Sequence, residues 1–437
     1  PLGHATQDIR IGQHIHTHNM ATNLSGHINY TYTPDQKALE RFLEPTASAV
    51  FQGYPRPDGR AGTRNELWIV PTVGCVNQTA QRLAAEAKRR FASRFDDVCA
   101  FPHNLGCSQL GDDQATTMKL LAGLIRNPNA GGVLVLSLGC ENNNLEVFRP
   151  YLGDVDPNRI KFLVTQDVED EYEAEMALLE ELDKAVGGMA RRPVPVSKLS
   201  IGFKCGGSDA FSGLTANPLC GRLCDRVIQA GGSCVLTEVP EMFGAEHLLM
   251  ARCVNEGVFA QTVDLINDYK DYFTRYGQVI YENPSPGNKA GGISTLEEKS
   301  LGCVQKGGSA PVTGVLGYGD PIIQPGLNLL TGSGNDQVSC TNLVCSGATL
   351  ICFTTGRGNP FGAPVPTVKV ASNGDLFRRK PHWIDYNAGQ VLEGSNWADM
   401  EEDFFRYLLS VASGEQHARN EENGYKEISI FHDGVIL

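Results

Sequence analysis

From Leu67 onward the chain alternates short, continuous apolar runs with longer amphipathic stretches. Runs at 67–73, 97–101, 132–138, 161–165, 199–204, 233–238 and 349–354 predict strands. Stretches with helical periodicity at 76–92, 112–126, 168–186, 218–230, 258–274 and 399–413 predict helices. Strands apolar on both faces, each followed by a helix, belong to a parallel sheet covered by helices, so the expected class is α/β. Before Leu67 the texture differs. Residues 11–19, Ile-Gly-Gln-His-Ile-His-Thr-His-Asn, alternate like a strand, whereas 20–62 hold no sustained period and end in Gly53-Tyr54-Pro55-Arg56-Pro57-Asp58-Gly59-Arg60, which reads as a linker. Gly187-Gly188 through Pro193-Val194-Pro195 is the expected internal boundary, and no repeat of fixed short period is found.

At 437 residues the chain exceeds what one core usually carries, so two or more domains are expected. A 41% hydrophobic and 20% charged composition is that of a globular protein and excludes a disordered chain, a coiled coil or a collagen. No run of about 18 apolar residues predicts a membrane span. The start has no charged segment leading an apolar one, so no secretory signal is read and a cytoplasmic location is expected. The chain opens without Met, close to a strand-like stretch, which points to a piece upstream. Thirty-seven basic against 50 acidic residues give a net charge of −13, a surface that repels phosphate backbones, so nucleic acid is not an expected partner. The 13 Cys are odd in number and several sit in glycine-flanked loops, which favours reduced thiols, some of them metal ligands, over disulfides.

The loops beyond the strands are more informative. The strand at 67–73 ends in Gly74-Cys75-Val76-Asn77; that at 97–101 runs into His103-Asn104-Leu105-Gly106-Cys107-Ser108-Gln109; that at 132–138 ends in Gly139-Cys140-Glu141-Asn142-Asn143. Ligands of open α/β sheets bind at this carboxyl edge. One Gly-Cys pair is a tight turn with a small buried thiol. Three in equivalent places make Cys75, Cys107 and Cys140 candidate ligands of iron, an iron–sulfur cluster or zinc. His103 and Glu141 are candidate ligands or acid–base groups, or simply loop hydrogen-bonders.

In the second half, the strand at 199–204 leads into Cys205-Gly206-Gly207-Ser208-Asp209, a glycine turn able to cradle a carboxylate or phosphate. It matches neither the P-loop nor the dinucleotide fingerprint. Glu238, Glu241 and Glu246 come at the end of the strand at 233–238 and just beyond it, as a base, a hard-cation site, or acids complementing a helix dipole. The loop Glu282-Asn283-Pro284-Ser285-Pro286-Gly287-Asn288-Lys289-Ala290-Gly291-Gly292 holds one cation, Lys289, and Thr355-Gly356-Arg357-Gly358-Asn359-Pro360 offers the fork of Arg357 for a carboxylate. Asn288, Ser208 and Asp209 are candidate substrate contacts beside them. Gly334-Asn335-Asp336 is a further contact or an N-cap. His14, His16 and His18, spaced by two, would share one strand face and form a lesser metal candidate.

Together these loops resemble the altronate/galactarate dehydratase family. The resemblance rests on 53–65, 71–77, 138–143, 205–209, 282–292 and 355–360, and covers practically the whole chain. His14-Ile15-His16-Thr17-His18-Asn19 and Thr237 through Gly244 resemble its altronate branch more than its galactarate branch. The resemblance implies an amino-terminal β-clip lobe, of which 1–20 is the tail, a linker at 21–62, a dimerising α/β domain at 63–190 and a Rossmann-like domain at 197–437. It implies a homodimer that dehydrates a sugar acid to a 2-keto-3-deoxy acid with Fe2+, Mn2+ being a substitute.

Such chemistry needs a base for the proton alpha to the carboxylate, a cation for the enediolate, and a Lewis or proton acid at the 3-hydroxyl. The expected arrangement has iron, alone or in a cluster, on Cys75, Cys107 and Cys140. Arg357 and Lys289 hold the carboxylate, and His103 or one of the Glu residues within 238–246 (Glu238, Glu241, Glu246) serves as the base. Competing readings are galactarate or a sulfonated hydroxy acid as substrate, a dinucleotide-dependent dehydrogenase, and a sugar-acid binding protein without catalysis.

Overall fold

The computed structural model describes residues 1–42, 49–91, 93–435 and 437. Residues 43–48 of the expected linker and residue 92 of the expected helix at 76–92 lie outside the described residues.

Two parallel sheets dominate. The smaller has the order Val98–Ala100, Glu66–Pro71, Ala130–Ser137, Ile160–Val164. The larger has the order Val312–Leu316, Gly326–Leu330, Ser233–Leu236, Ser200–Cys205, Leu350–Thr355, Thr367–Ala371, Tyr386–Asn387. Every neighbouring pair in it is parallel, with Ile201 opposite both Cys234 and Leu350. The α/β reading holds. Strands such as Leu350–Thr355 are buried along their whole length, which is why they stand out as continuous apolar runs. In the larger sheet the strand order reverses between Ser200–Cys205 and Leu350–Thr355, and at such a switch point the loops beyond the strands diverge and leave a crevice.

Helices bury one stripe each. In Asn77–Phe91 the buried positions are Ala80, Leu83, Ala84, Ala87 and Phe91, a pattern of helical period. The two sheets are joined through helices Gly111–Ile125 and Asp336–Cys345, whose Leu120, Leu124, Leu343 and Val344 belong to one continuous core. Gly123 lies against the Cys345 backbone, where a Cβ would sit 2.3 Å from the carbonyl oxygen. Gly319 touches Lys119 and donates to Asn342 Oδ1, so positions rise together along both helices and the two run parallel. Each helix returns from the carboxyl end of its strand. The carboxyl edges of both sheets therefore open to the same side. Buried pairs Arg64–Glu421 and Lys426–Glu66 add charged links between the halves.

Two expectations are corrected. Residues 11–19 are not a strand but a series of turns, with Asn19 N–H donating to His16 O and His16 N–H to Asn19 Oδ1; only Met20–Ala21 pairs, with His4–Ala5. The three rings still gather, His14 stacked on His16 at 5.7 Å and 6.1 Å from His18. The linker does not reach 62, because Val50–Pro55 is a strand pairing antiparallel with Arg192–Pro195 and with Ala61–Gly62. The Pro-rich boundary is itself that edge strand, where a residue without N–H is tolerated. No helix among the described residues is long and apolar enough to cross a membrane.

Candidate active site

At the carboxyl edge of the larger sheet, charged side chains converge in a region almost closed to solvent. Lys204, on the central strand Ser200–Cys205, lies between Glu238 and Asp336, 2.9 Å from Asp336 Oδ1 and closer still to Glu238 Oε1. Lys306 donates to Glu238 Oε2 at 2.9 Å. Lys299 donates to Glu241 Oε1 at 2.8 Å, Asn283 Oδ1 at 3.0 Å and Asn288 Oδ1 at 3.2 Å. Three ammonium groups thus meet three carboxylates, and each charge is cancelled inside the cluster. Burial opposes the charged state of every member. The carboxylates nonetheless hold Lys204, Lys299 and Lys306 protonated well above the usual range, and Lys299, Lys204 and Lys306 hold Glu241 ionised well below it. Glu238 occupies left-handed backbone, φ 67°, at the turn after its strand, a conformation costly for a residue with a Cβ.

Two thiols complete the cluster. Cys205 Sγ and Cys303 Sγ are 3.3 Å apart and lie 3.2 and 3.0 Å from the same oxygen, Glu241 Oε2. The Cys205 contact and burial push the Cys303 thiol well up. Cys303 and Lys299 sit one turn apart on helix Leu296–Cys303 and reach the wall of an open cavity of about 330 Å3. Ser208, Asp209, Asn217, Glu298 and Gln305 line its other sides. That volume is of small-molecule size.

Of the expected residues, Glu238, Glu241, Asn288, Ser208 and Asp209 are brought together here. Asn288 caps the cluster and donates to Ser208 O at 2.9 Å. Asp209 accepts from Ser212, Ser372 and Asn373, so it ties its own loop to the one after strand Thr367–Ala371. Asn335 caps helix Asp336–Cys345 through Val338 N–H, while Lys204 donates to Gly334 O, so that loop is both a cap and part of the cluster. Arg357 is exposed and clamps the 282–292 loop by donating to Gly287 O at 3.0 Å; Lys289 is half-buried on the same loop.

Cys75, Cys107, Cys140 and His103 lie at the edge of the smaller sheet. Their loops are knit together: Gly74 N–H donates to Leu105 O, Asn143 N–H to Gly106 O, and Ser108 N–H to Asn142 Oδ1. All three thiols are exposed. His103 donates from Nε2 to Pro71 O at 2.9 Å and accepts Leu105 N–H at Nδ1, and burial keeps its pKa low, so the ring is a neutral brace for the loop. Glu141 is likewise a brace, accepting from Thr72, Ser137 and Gly139.

Among the described residues, one set of three His, Cys, Asp or Glu side chains brings its ligand atoms within 4.8 Å of one another: Cys205, Glu241 and Cys303. Cys75, Cys107 and Cys140 do not form such a set. Sequence reasoning missed Cys303, Lys299, Lys204 and Lys306. A lysine inside the buried run Ser-Ile-Gly-Phe-Lys-Cys was a usable signal, since a fully buried charge demands a partner.

A family model of the D-galactarate/altronate dehydratase carboxyl-terminal domain matches residues 196–436, and one of the D-galactarate dehydratase/altronate hydrolase second domain matches 53–187. The chain belongs to this family. It is 54% identical over its whole length to an altronate dehydratase of Bacillus subtilis and 48% identical to one of Escherichia coli, spanning 88% of each. A galactarate dehydratase (L-threo-forming) of E. coli is 32% identical over 90% of the chain and 79% of that relative. The family is one of sugar-acid hydro-lyases, and the cluster of lysines, carboxylates and thiols occupies the carboxyl-terminal domain that the first model describes.

Proposed function

We propose that this chain dehydrates a hexonate, D-altronate, to 2-keto-3-deoxy-D-gluconate. The observation that carries the proposal is the pairing of an open cavity of small-molecule size with a permanently charged ammonium, Lys299, in its wall. Loss of water across C2 and C3 begins with removal of the C2 proton and builds negative charge on the carboxylate. Lys299, held in place by Glu241, Asn283 and Asn288, offers a fixed positive charge to that enediolate without reorganising. The proton acceptor at C2 is assigned to Glu298 on the cavity wall, whose Oε2 is pinned by Ser294, leaving Oε1 for the substrate. Arg357 and Lys289, on the loops beside the cavity, receive the incoming carboxylate.

Iron would supply Lewis acidity at the departing 3-hydroxyl. Cys75, Cys107 and Cys140 are its proposed ligands. Three exposed thiols on mutually hydrogen-bonded loops support the assignment, and acid-labile sulfide separates a cluster from a lone ion there. Replacement by Mn2+ would instead speak for a lone ion. The domain at 63–190 is assigned to homodimerisation, which light scattering tests.

Protein purified without oxygen is to be analysed for iron and acid-labile sulfide, then assayed with D-altronate, galactarate and a sulfonated hydroxy acid. Keto-deoxy acid formed from D-altronate fastest, without added nucleotide, is the expected result. Faster turnover of either other acid replaces the substrate assignment. A nucleotide requirement or no turnover of any acid overturns the reading.

A further inference from the structure

Cys205 Sγ, Cys303 Sγ and Glu241 Oε2 make a ligand set whose atoms the proposed reaction leaves unused. We infer that they form a second metal site, for one borderline-soft divalent ion such as Fe2+ or Zn2+, distinct from the exposed cysteines of the smaller sheet. Two thiolates and a carboxylate are the donor set such ions take, and three protein ligands with one open position mark a site that also admits water or substrate. Two metal–sulfur bonds of about 2.3 Å at a tetrahedral angle put the sulfurs about 3.8 Å apart. The observed 3.3 Å needs only a small widening, and both sulfurs already converge on Glu241 Oε2.

Three independent observations support an ion here. Charge is the first. The cluster's three lysines and three carboxylates cancel, so a divalent ion that displaces two thiol protons leaves the buried region neutral. The second is orientation: Lys299 and Asn283 bind Glu241 Oε1, which turns Oε2 toward the sulfurs. The third is space. Glu238, Glu241, Cys303, Lys306 and Thr237 wall a cavity of about 10 Å3, room for one water, and Thr237 Oγ1 is buried with no partner among the described residues. A water there completes the fourth position and satisfies Thr237.

The test does not depend on turnover. The Cys75→Ser/Cys107→Ser/Cys140→Ser variant of the chain, which lacks the exposed thiols, is to be stripped of metal under reductant and titrated with Co2+. One equivalent with an intense thiolate-to-cobalt absorption in the near ultraviolet and tetrahedral visible bands is expected. Adding Cys303→Ser or Cys205→Ser should lower that absorption by about half or abolish it. Glu241→Gln should weaken binding at least tenfold, with far-ultraviolet circular dichroism confirming each fold. Cys224→Ser, a buried core cysteine that contacts Cys234 and is not part of the ligand set, should change nothing. Three outcomes overturn the inference: no thiolate band, a band indifferent to both cysteines, or a Cys205–Cys303 disulfide that forms as fast with Co2+ as without it.

Discussion

Glu238→Gln tests whether charge cancellation holds the buried cluster together. Glu238 accepts from Lys204 at one oxygen and from Lys306 at the other, and the three side chains are 1%, 0% and 2% exposed. Glutamine keeps the shape but leaves two buried ammonium groups with one fewer counter-charge, so the cluster changes from neutral to +1. Removing one partner of a buried pair costs about 3–5 kcal/mol, because the survivor stays buried and uncompensated. Against a total stability of about 5–15 kcal/mol that is a large share. Lys306→Met alone leaves the opposite imbalance and should cost a similar amount. The double variant Glu238→Gln/Lys306→Met restores neutrality and keeps Lys204 paired with Asp336. Its loss should therefore fall short of the sum of the singles by about 2–3 kcal/mol. Urea unfolding followed through the buried Trp68 and by circular dichroism measures all four proteins. Additive losses, or a Glu238→Gln protein as stable as the parent, would refute the compensation argument.

Lys299→Met should lower kcat by about 10²–10³-fold with a smaller effect on KM, since the ammonium is aimed at charge that develops during reaction; steady-state kinetics at a temperature where circular dichroism shows the destabilised variant still folded checks it. Cys107→Ser should lower iron content and activity together, and full retention of both would remove iron from the loops of the smaller sheet. Gly206→Ala puts a Cβ 2.5 Å from Asp336 Oδ2 and 2.6 Å from Phe353, pushing Asp336 off Lys204 at a cost of about 1–3 kcal/mol, read from denaturant midpoints. Glu175, buried and with Oε1 unpartnered, is raised by burial and by Glu171 to about 7. The raised pKa penalises its ionised form, so the parent loses about 2–3 kcal/mol as pH climbs from about 4.5 to 7. Glu175→Gln should lack that loss, and parallel denaturation at pH 5 and pH 8 measures the difference.

Sequence legibility tracked burial. The central strands Ser200–Cys205, Ser233–Leu236 and Leu350–Thr355 are enclosed on both faces and read as apolar runs. Val312–Leu316, Gly326–Leu330 and Thr367–Ala371 carry Thr, Gly, Asn or Lys and were missed, because their register is set by neighbours rather than by their own composition. Val50–Pro55 read as linker for the same reason, since its partner Arg192–Pro195 lies far along the chain. The histidine alternation misled because period two among polar side chains creates no buried face to hold a strand. Within the site, the glycine loops at the switch point were legible as ligand loops, and Glu238 and Glu241 as acids beside them. Their lysine and cysteine partners were not, because Lys299, Cys303 and Lys306 come from a helix and turn about a hundred residues after Cys205 and meet it only when the sheet folds.

The electroneutrality of the buried cluster also bears on how a negatively charged substrate is held. Lys204, Lys299 and Lys306 are each matched by a carboxylate, so the cluster as a whole adds no net charge to the cavity, although Lys299 presents its ammonium locally. Asp209 and Glu298 on its wall are acidic and would repel a sugar acid. Balance must then come from cations that no carboxylate has already claimed. Among the described residues, Lys289 and Arg357 form no salt bridge, and Arg357 ties its own loop to that of Lys289 through Gly287 O. Joined in this way, the two loops pack through Gly291 and Gly356 on Asp209 of the cavity wall, and we propose that their free cations act there as one unit. Neutralising both, Lys289→Met/Arg357→Met, should accordingly raise KM for the sugar acid far more than it lowers kcat. A substrate affinity left unchanged by the double variant would mean that the carboxylate is met elsewhere, and the ammonium of Lys299, drawn away from Glu241, would be the remaining group able to meet it.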